Sequence, residues 1–132
     1  MAQTQSKTPG RVEATNTLVN MTAAATVDVL ELQTGDIERL AIEIVVTDQA
    51  LDVFTLLAKV HQDSEYVVID ASITATPDAI VLAASGTLTT QAADSTGWAL
   101  LDVRAFHSVK FQASMAVDGG DLTIRARGHG TV

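Results

Sequence analysis

The stretch FQASMAVDGGDLTIRARG, residues 111–128, constrains the fold more than any other part of the chain. Two runs of alternating apolar and polar residues flank a Gly-Gly pair. Alternation with period two is the signature of a half-buried strand. A Gly-Gly pair tolerates the positive φ angles of a two-residue turn, so the spacing predicts a β-hairpin. In that register Asp118 opposes Asp121, Val117 opposes Leu122 and Met115 opposes Ile124. Further out, Ser114 meets Arg125, Gln112 meets Arg127, and Lys110 lies across from His129. One face then holds Val109, Phe111, Ala113, Met115 and Val117 with Leu122, Ile124 and Ala126. The other holds Lys110, Gln112 and Ser114 with Arg125, Arg127 and His129. A slip of one residue would mix the two faces, so the register is well specified.

The rest of the chain repeats this short-strand pattern. In RLAIEIVV, Leu40, Ile42, Ile44 and Val46 form one apolar row facing a core. TVDVLEL places Val27 and Val29 on one face and Asp28, Leu30 and Leu32 on the other. LDVFTLLAKVHQ fits either a helix or a mostly buried strand; the short, turn-bounded runs on both sides favour a strand from Val53 to Val60. Further strands are expected over Tyr66–Ile73, in IVLAA and GTLTT, and over Trp98–Val103. Pro77 breaks the chain between two of these runs, and Phe106 marks a corner. About eight or nine short strands with turn signals between them predict an all-β sandwich or barrel.

Residues 1–20 show neither period. They read as an extended N-terminal arm ahead of a domain over residues 21–132, either frayed or ordered against a neighbouring subunit. Lys7 and Arg11 make the arm positive on a chain of formal net charge −8. That charge repels nucleic-acid phosphates unless a basic stripe overrides it. No apolar run approaches the ~20 residues of a membrane span. The opening MAQTQSKTPGR has no apolar core after its charges, so no secretory signal is expected there. The chain has no cysteine, which excludes disulfides, thiolate catalysis and cysteine-held metals.

No catalytic motif is found. G-x-S-x-G, H-E-x-x-H and a Gly-rich phosphate loop are all missing. His61, His107 and His129 are scattered and read as surface residues. The loose carboxylates Asp48, Asp52, Asp63, Glu65, Asp70 and Asp78 match no calcium-loop spacing. Asp118 and Asp121 read as an exposed turn rather than a cation site. No cofactor and no metal is expected. Trp98 reads as a core or half-core residue. The basic outer face is either solvated, with its arginines meeting carboxylates on a neighbouring strand, or a docking face for an acidic partner, another copy of this chain included.

The C-terminal third, GTLTTQAADSTGWALLDVRAFHSVKFQASMAVDGGDLTIRARG, resembles a group of small β-sandwich virion proteins of tailed bacteriophages. The resemblance is carried by Trp98, Asp102-Val103, Phe106, Val109 to Phe111, Ala113, Gly119-Gly120 and Leu122 to Arg127, and covers about 45 residues. IERLAIEIVVTD resembles the first sandwich strand of that group more weakly. Where the group often has an aromatic-rich stretch, this chain reads KVHQDSEYVVI with Tyr66 its only aromatic, which speaks against sugar binding. The resemblance implies an antiparallel, jelly-roll-like sandwich without catalytic residues. It implies a capsid decoration or cement protein that binds the head shell, or a neck, tail or head-fibre accessory; a host-surface carbohydrate-binding module is a further alternative. Synthesis in the host cytoplasm, a place on the virion surface, homo-oligomers (a trimer) and contact with the major capsid protein are expected, with no nucleic acid or membrane as partner. Lys7, Arg11, Lys110, Gln112, Arg125 and Arg127 are the candidate partner-binding residues.

Overall fold

Leu40, Ile42, Ile44 and Val46 are all buried, as their spacing predicts. They line the inner side of one of two stacked antiparallel sheets in a computed structural model that describes residues 3–70, 87–88 and 93–130. Among the described residues there are ten strands and no helix: β1 (Thr4–Thr8), β2 (Arg11–Met21), β3 (Val27–Gln33), β4 (Arg39–Thr47), β5 (Leu51–Lys59), β6 (Val67–Asp70), β7 (Thr87–Leu88), β8 (Ser95–Asp102), β9 (Ser108–Met115) and β10 (Gly120–His129).

Sheet one has the order β1-β2-β10-β4-β8, and sheet two the order β3-β9-β5-β6, with β7 also pairing with β5. Consecutive strands change sheet at β2–β3, β3–β4, β4–β5, β7–β8, β8–β9 and β9–β10. Apart from the edge strand β1 and the short β7, this is the connectivity of an eight-stranded jelly roll. Phe54 and Phe111, both fully buried, pack with ring centroids 5.5 Å apart at the centre of sheet two.

The hairpin expected around Gly119-Gly120 is not formed. β9 pairs with β3 and β5, whereas β10 pairs with β2 and β4. The connection is an arch that carries the chain across the core. Lys110 therefore pairs with Glu31 and Leu57 rather than lying across from His129. Gly119 has φ +104°, open to glycine at little cost, and its N–H donates to Met21 O at 2.8 Å. A Cβ on Gly120 would lie 2.9 Å from Met115 Sδ and 2.9 Å from Gln49 Cβ, so this strand start sits against the facing sheet. The apolar rows of the two strands face each other across the core instead of lying side by side. Alternation records only that one face of each strand is buried; it is the same for a hairpin and for an arch. Val117, expected inward, is exposed in the connection, while Ser114, expected outward, is buried.

Two other expectations are corrected. Arg11–Met21 is not part of an arm but an interior strand between β1 and β10, so residue 20 marks no boundary. Its inner row is Val12, Ala14 and Asn16, all buried; Asn16 Nδ2 donates to Val29 O at 2.6 Å, tying the two sheets together. In β3 the register shifts between Asp28 and Leu30. That bulge lets Val29 and Leu30 both bury and leaves Val27 outside. The strand resembling the first of a sandwich, IERLAIEIVVTD, holds β4, preceded by β2 and β3. The expected continuation to Ile73, the break at Pro77, the run IVLAA, most of GTLTT and the side chain of Trp98 lie outside the described residues.

Candidate functional site

The candidate partner-binding residues do not form one surface. Because β9 and β10 belong to different sheets, Lys110 and Gln112 face outward from sheet two, and Arg125 and Arg127 face outward from sheet one.

On sheet one, Arg125 stands in register with Thr15 and Glu43, and Arg127 with Glu13 and Ala41. Arg125 Nη1 donates to Glu43 Oε1 at 2.7 Å, and Arg127 Nε approaches Glu13 Oε1 at 3.3 Å. These pairs are more than 40% exposed on both sides, so each contributes only about 0.2–1 kcal/mol. They border a shallow groove of about 400 Å³ floored by Ala14, Ala41 and Ala126. Toward the open end of β10, Arg11, His129 and Arg39 stand side by side on adjacent strands. Asp102 is next in that row, paired in register with Arg39. Arg104 binds both oxygens of Asp102 and, as the largest cause, lowers its pKa.

On sheet two, Gln112 Nε2 donates to Asp28 Oδ1 at 2.8 Å, and Lys110 Nζ lies 3.8 Å from the same carboxylate oxygen. Tyr66 is the centre of this face. Lys59 Nζ and Lys110 Nζ lie 5.0 and 4.6 Å from its ring centroid, within cation–π range. Its hydroxyl donates to Glu31 Oε2. Burial of the phenol, followed by the hydrogen bond and charge of Glu31, raises the Tyr66 pKa above its ordinary value. The ring is engaged by ammonium groups, and its hydroxyl is held.

A polar groove of about 600 Å³ runs from Tyr66 to β1, lined by Gln3, Gln5, Lys7, Gln33, Gln62 and His107 among others. Gln3 closes one side of it. Its side-chain amide donates to Glu31 O at 2.8 Å and accepts from Glu31 N–H at 2.9 Å. One glutamine thus supplies the two bonds that a neighbouring strand would give to the free edge of β3, a device that blunts edge-to-edge pairing. Lys7 Nζ and Gly10 N–H both donate to Asp36 Oδ2 at 2.7 Å. The Gly10 bond first, and then Lys7, lowers the Asp36 pKa.

The remaining histidines are apart. His61 Nδ1 accepts from Asp63 N–H at 3.2 Å in an exposed turn, and His107 Nδ1 lies 2.8 Å from Ser108 Oγ. Among the described residues no three of His, Asp or Glu are placed to hold a metal ion. Sequence reasoning missed Gln3, Glu31 and Asp36 because their partners lie 26–29 residues away.

No family model matches the chain, and no curated protein matches it. Among solved structures, the SPBc2 prophage-derived protein YomS has a similar fold: 14% identity, 88% of this chain and 93% of that chain covered, TM-score 0.50. A Bacillus endospore appendage protein (12% identity, 95% and 93% covered, TM-score 0.44) and a family 29 carbohydrate-binding module (14%, 98% and 76%, 0.43) are more distantly alike. At these identities the likeness is one of fold, and the fold is an antiparallel β-sandwich.

Proposed function

We propose that the chain is a non-enzymatic structural component of a tailed-bacteriophage virion that binds and stabilises the head shell as a decoration or cement protein. One observation carries this reading. The chain shares a sandwich fold with a prophage-derived protein over nearly the whole of both chains. The surface fits the same reading: Arg125 and Arg127 on one outer face and Lys110 on the other are met by carboxylates of neighbouring strands, which suits broad contacts. The partners are the major capsid protein and further copies of this chain, in a trimer, with no nucleic acid or membrane. The chain is made in the host cytoplasm and carried on the capsid surface. A neck, tail or head-fibre accessory uses the same fold at lower copy number. Tyr66, flanked by two ammonium groups, is not a bare platform for a sugar ring.

The test is stoichiometry in gradient-purified particles from cells producing this chain. A fixed, high ratio to the major capsid protein supports the decoration role. A few copies per particle moves the chain to the neck, tail or fibre, and absence from purified particles overturns the virion reading.

A further inference from the structure

One end of the molecule carries carboxylates alone, whereas the other carries both signs, with Asp36, Glu38, Asp63 and Asp102 among its cations. At one end the loops β2–β3, β4–β5 and β9–β10 meet the start of β8. This crossover end carries Asp48, Asp52, Asp94, Asp118 and Asp121, and none of the chain's eight Lys and Arg or three His residues. Three of the carboxylates are fixed there by the fold. Asp94 accepts from Asp48 N–H at 3.0 Å, Asp118 from Ala23 N–H at 2.8 Å, and Asp121 from Asn20 N–H at 3.0 Å. These hydrogen bonds offset part of the cost of holding like charges together, and a positive surface docked there would lower it further.

At the opposite end, Arg11, His129 and Arg39 occupy one row across three adjacent strands of sheet one. Strands lie ~4.8 Å apart, so this row spans about 10 Å. Arg11 and Arg39 are exposed and form no ion pair among the described residues. The carboxylate nearest in register, Asp102, is hydrogen-bonded by Arg104 and is also attracted by Arg39 through space, so Arg11 is the cation of the row with no carboxylate beside it in register.

We propose that these ends bind each other between copies: the aspartate-bearing crossover end of one molecule docks on the Arg11–His129–Arg39 row of the next. The occupant of each surface is a second copy because both halves of the charge match lie on the same chain. Val19 and Val117, 54% and 56% exposed beside the crossover end, add apolar area to the contact. Opposed potentials of this kind set orientation and speed encounter. The contact is head-to-tail, so it closes into a ring or extends into a string. It holds wherever on a particle, or off it, the chain resides.

The test uses sedimentation velocity on the full chain at low and high salt, where screening lengths are ~30 Å and ~3 Å. The wild type associates with rising concentration at low salt and returns to monomer at high salt. Two variants separate the ends. Arg11→Glu with Arg39→Glu removes the basic row. Asp52→Lys with Asp118→Asn and Asp121→Asn neutralises most of the acidic end, and the asparagines keep an acceptor for the loop N–H groups. Each variant alone is monomeric, with circular dichroism and melting curves showing that it is folded. Mixed together they form one-to-one dimers, because each retains the end that the other lacks. If either variant does not fold, the single changes Arg11→Glu and Asp52→Lys replace them and each weakens wild-type association at least threefold. A wild type that stays monomeric at low salt, variants that associate as the wild type does, or a mixture of folded variants that stays monomeric overturns the proposal.

Discussion

Met115 Sδ lies 2.9 Å from the point that a Cβ on Gly120 would occupy, although one residue ends a strand of sheet two and the other begins a strand of sheet one. The connection between them is short, so β10 starts against the end of β9 across the core. Gln49 Cβ approaches the same point at 2.9 Å. This close approach sends the C-terminal strand between β2 and β4 and so separates Arg125 and Arg127 from Lys110 and Gln112.

Gly120→Ala is therefore predicted to destabilise the fold by about 1–3 kcal/mol, the usual cost of overpacking. Gly35→Ala is the control. Nothing lies within 4 Å of its Cβ position, and an ordinary surface change stays within about 0.5 kcal/mol. Urea denaturation followed by circular dichroism checks both.

Phe111→Ala removes a fully buried ring packed on Phe54. The expected loss is about 3–5 kcal/mol. Arg125→Ala removes only an exposed pair with Glu43, with an expected loss under about 1 kcal/mol. The same unfolding curves separate the two.

Asp36 holds the β1–β2 turn through Gly10 N–H and Lys7. Its pKa is lower when folded than when unfolded, so its stabilisation is present above the unfolded carboxylate value of about 4. It is lost as pH falls through the lower folded value. Hydrogen exchange at Gly10 is expected to stay protected at neutral pH and to open in acid, ahead of the interior strand β4. Asp36→Ala opens Gly10 at every pH.

Tyr66 titrates in the opposite direction. Its folded pKa is raised by burial and by Glu31. The neutral phenol's contribution is thus complete below the unfolded value of about 10 and lost as pH rises from there toward the folded value. Ultraviolet titration is expected to show the only tyrosine ionising above its ordinary range in the folded protein. The wild type loses stability above about pH 10, whereas Tyr66→Phe removes that alkaline loss.

What could be read from the residues and what could not follows from what alternation encodes. The inner row of β4 was legible because four strong apolar residues recur at period two without a bulge. β3 was half legible: the bulge after Asp28 turns Leu30 inward beside Val29, and no residue type announces it. β2 was not legible as a strand, because its inner row runs Val12, Ala14, Asn16. Alanine carries little apolar signal, and the buried Asn16 is satisfied by Val29 O, a partner supplied only by the tertiary fold. The candidate surfaces followed the same rule. The arginine–carboxylate pairing was anticipated for β10, where cross-strand neighbours set it. The Tyr66–Glu31 and Asp36–Gly10 contacts depend on how the two sheets and their loops are placed.

The central claim is that the Gly119-Gly120 connection is an arch between sheets, which places the two sets of polar residues on opposite faces. The chain has no cysteine of its own, so engineered pairs report directly. Thr17 and Thr123 are register partners in β2 and β10, with hydroxyl oxygens 3.0 Å apart; Gln112 and Arg127 would be partners only in a hairpin. Under mild oxidation, Thr17→Cys with Thr123→Cys is predicted to form an intramolecular disulfide, and Gln112→Cys with Arg127→Cys is predicted to remain reduced as a monomer. Rapid closure of the Gln112–Arg127 pair, with the Thr17–Thr123 pair left open, would contradict the account.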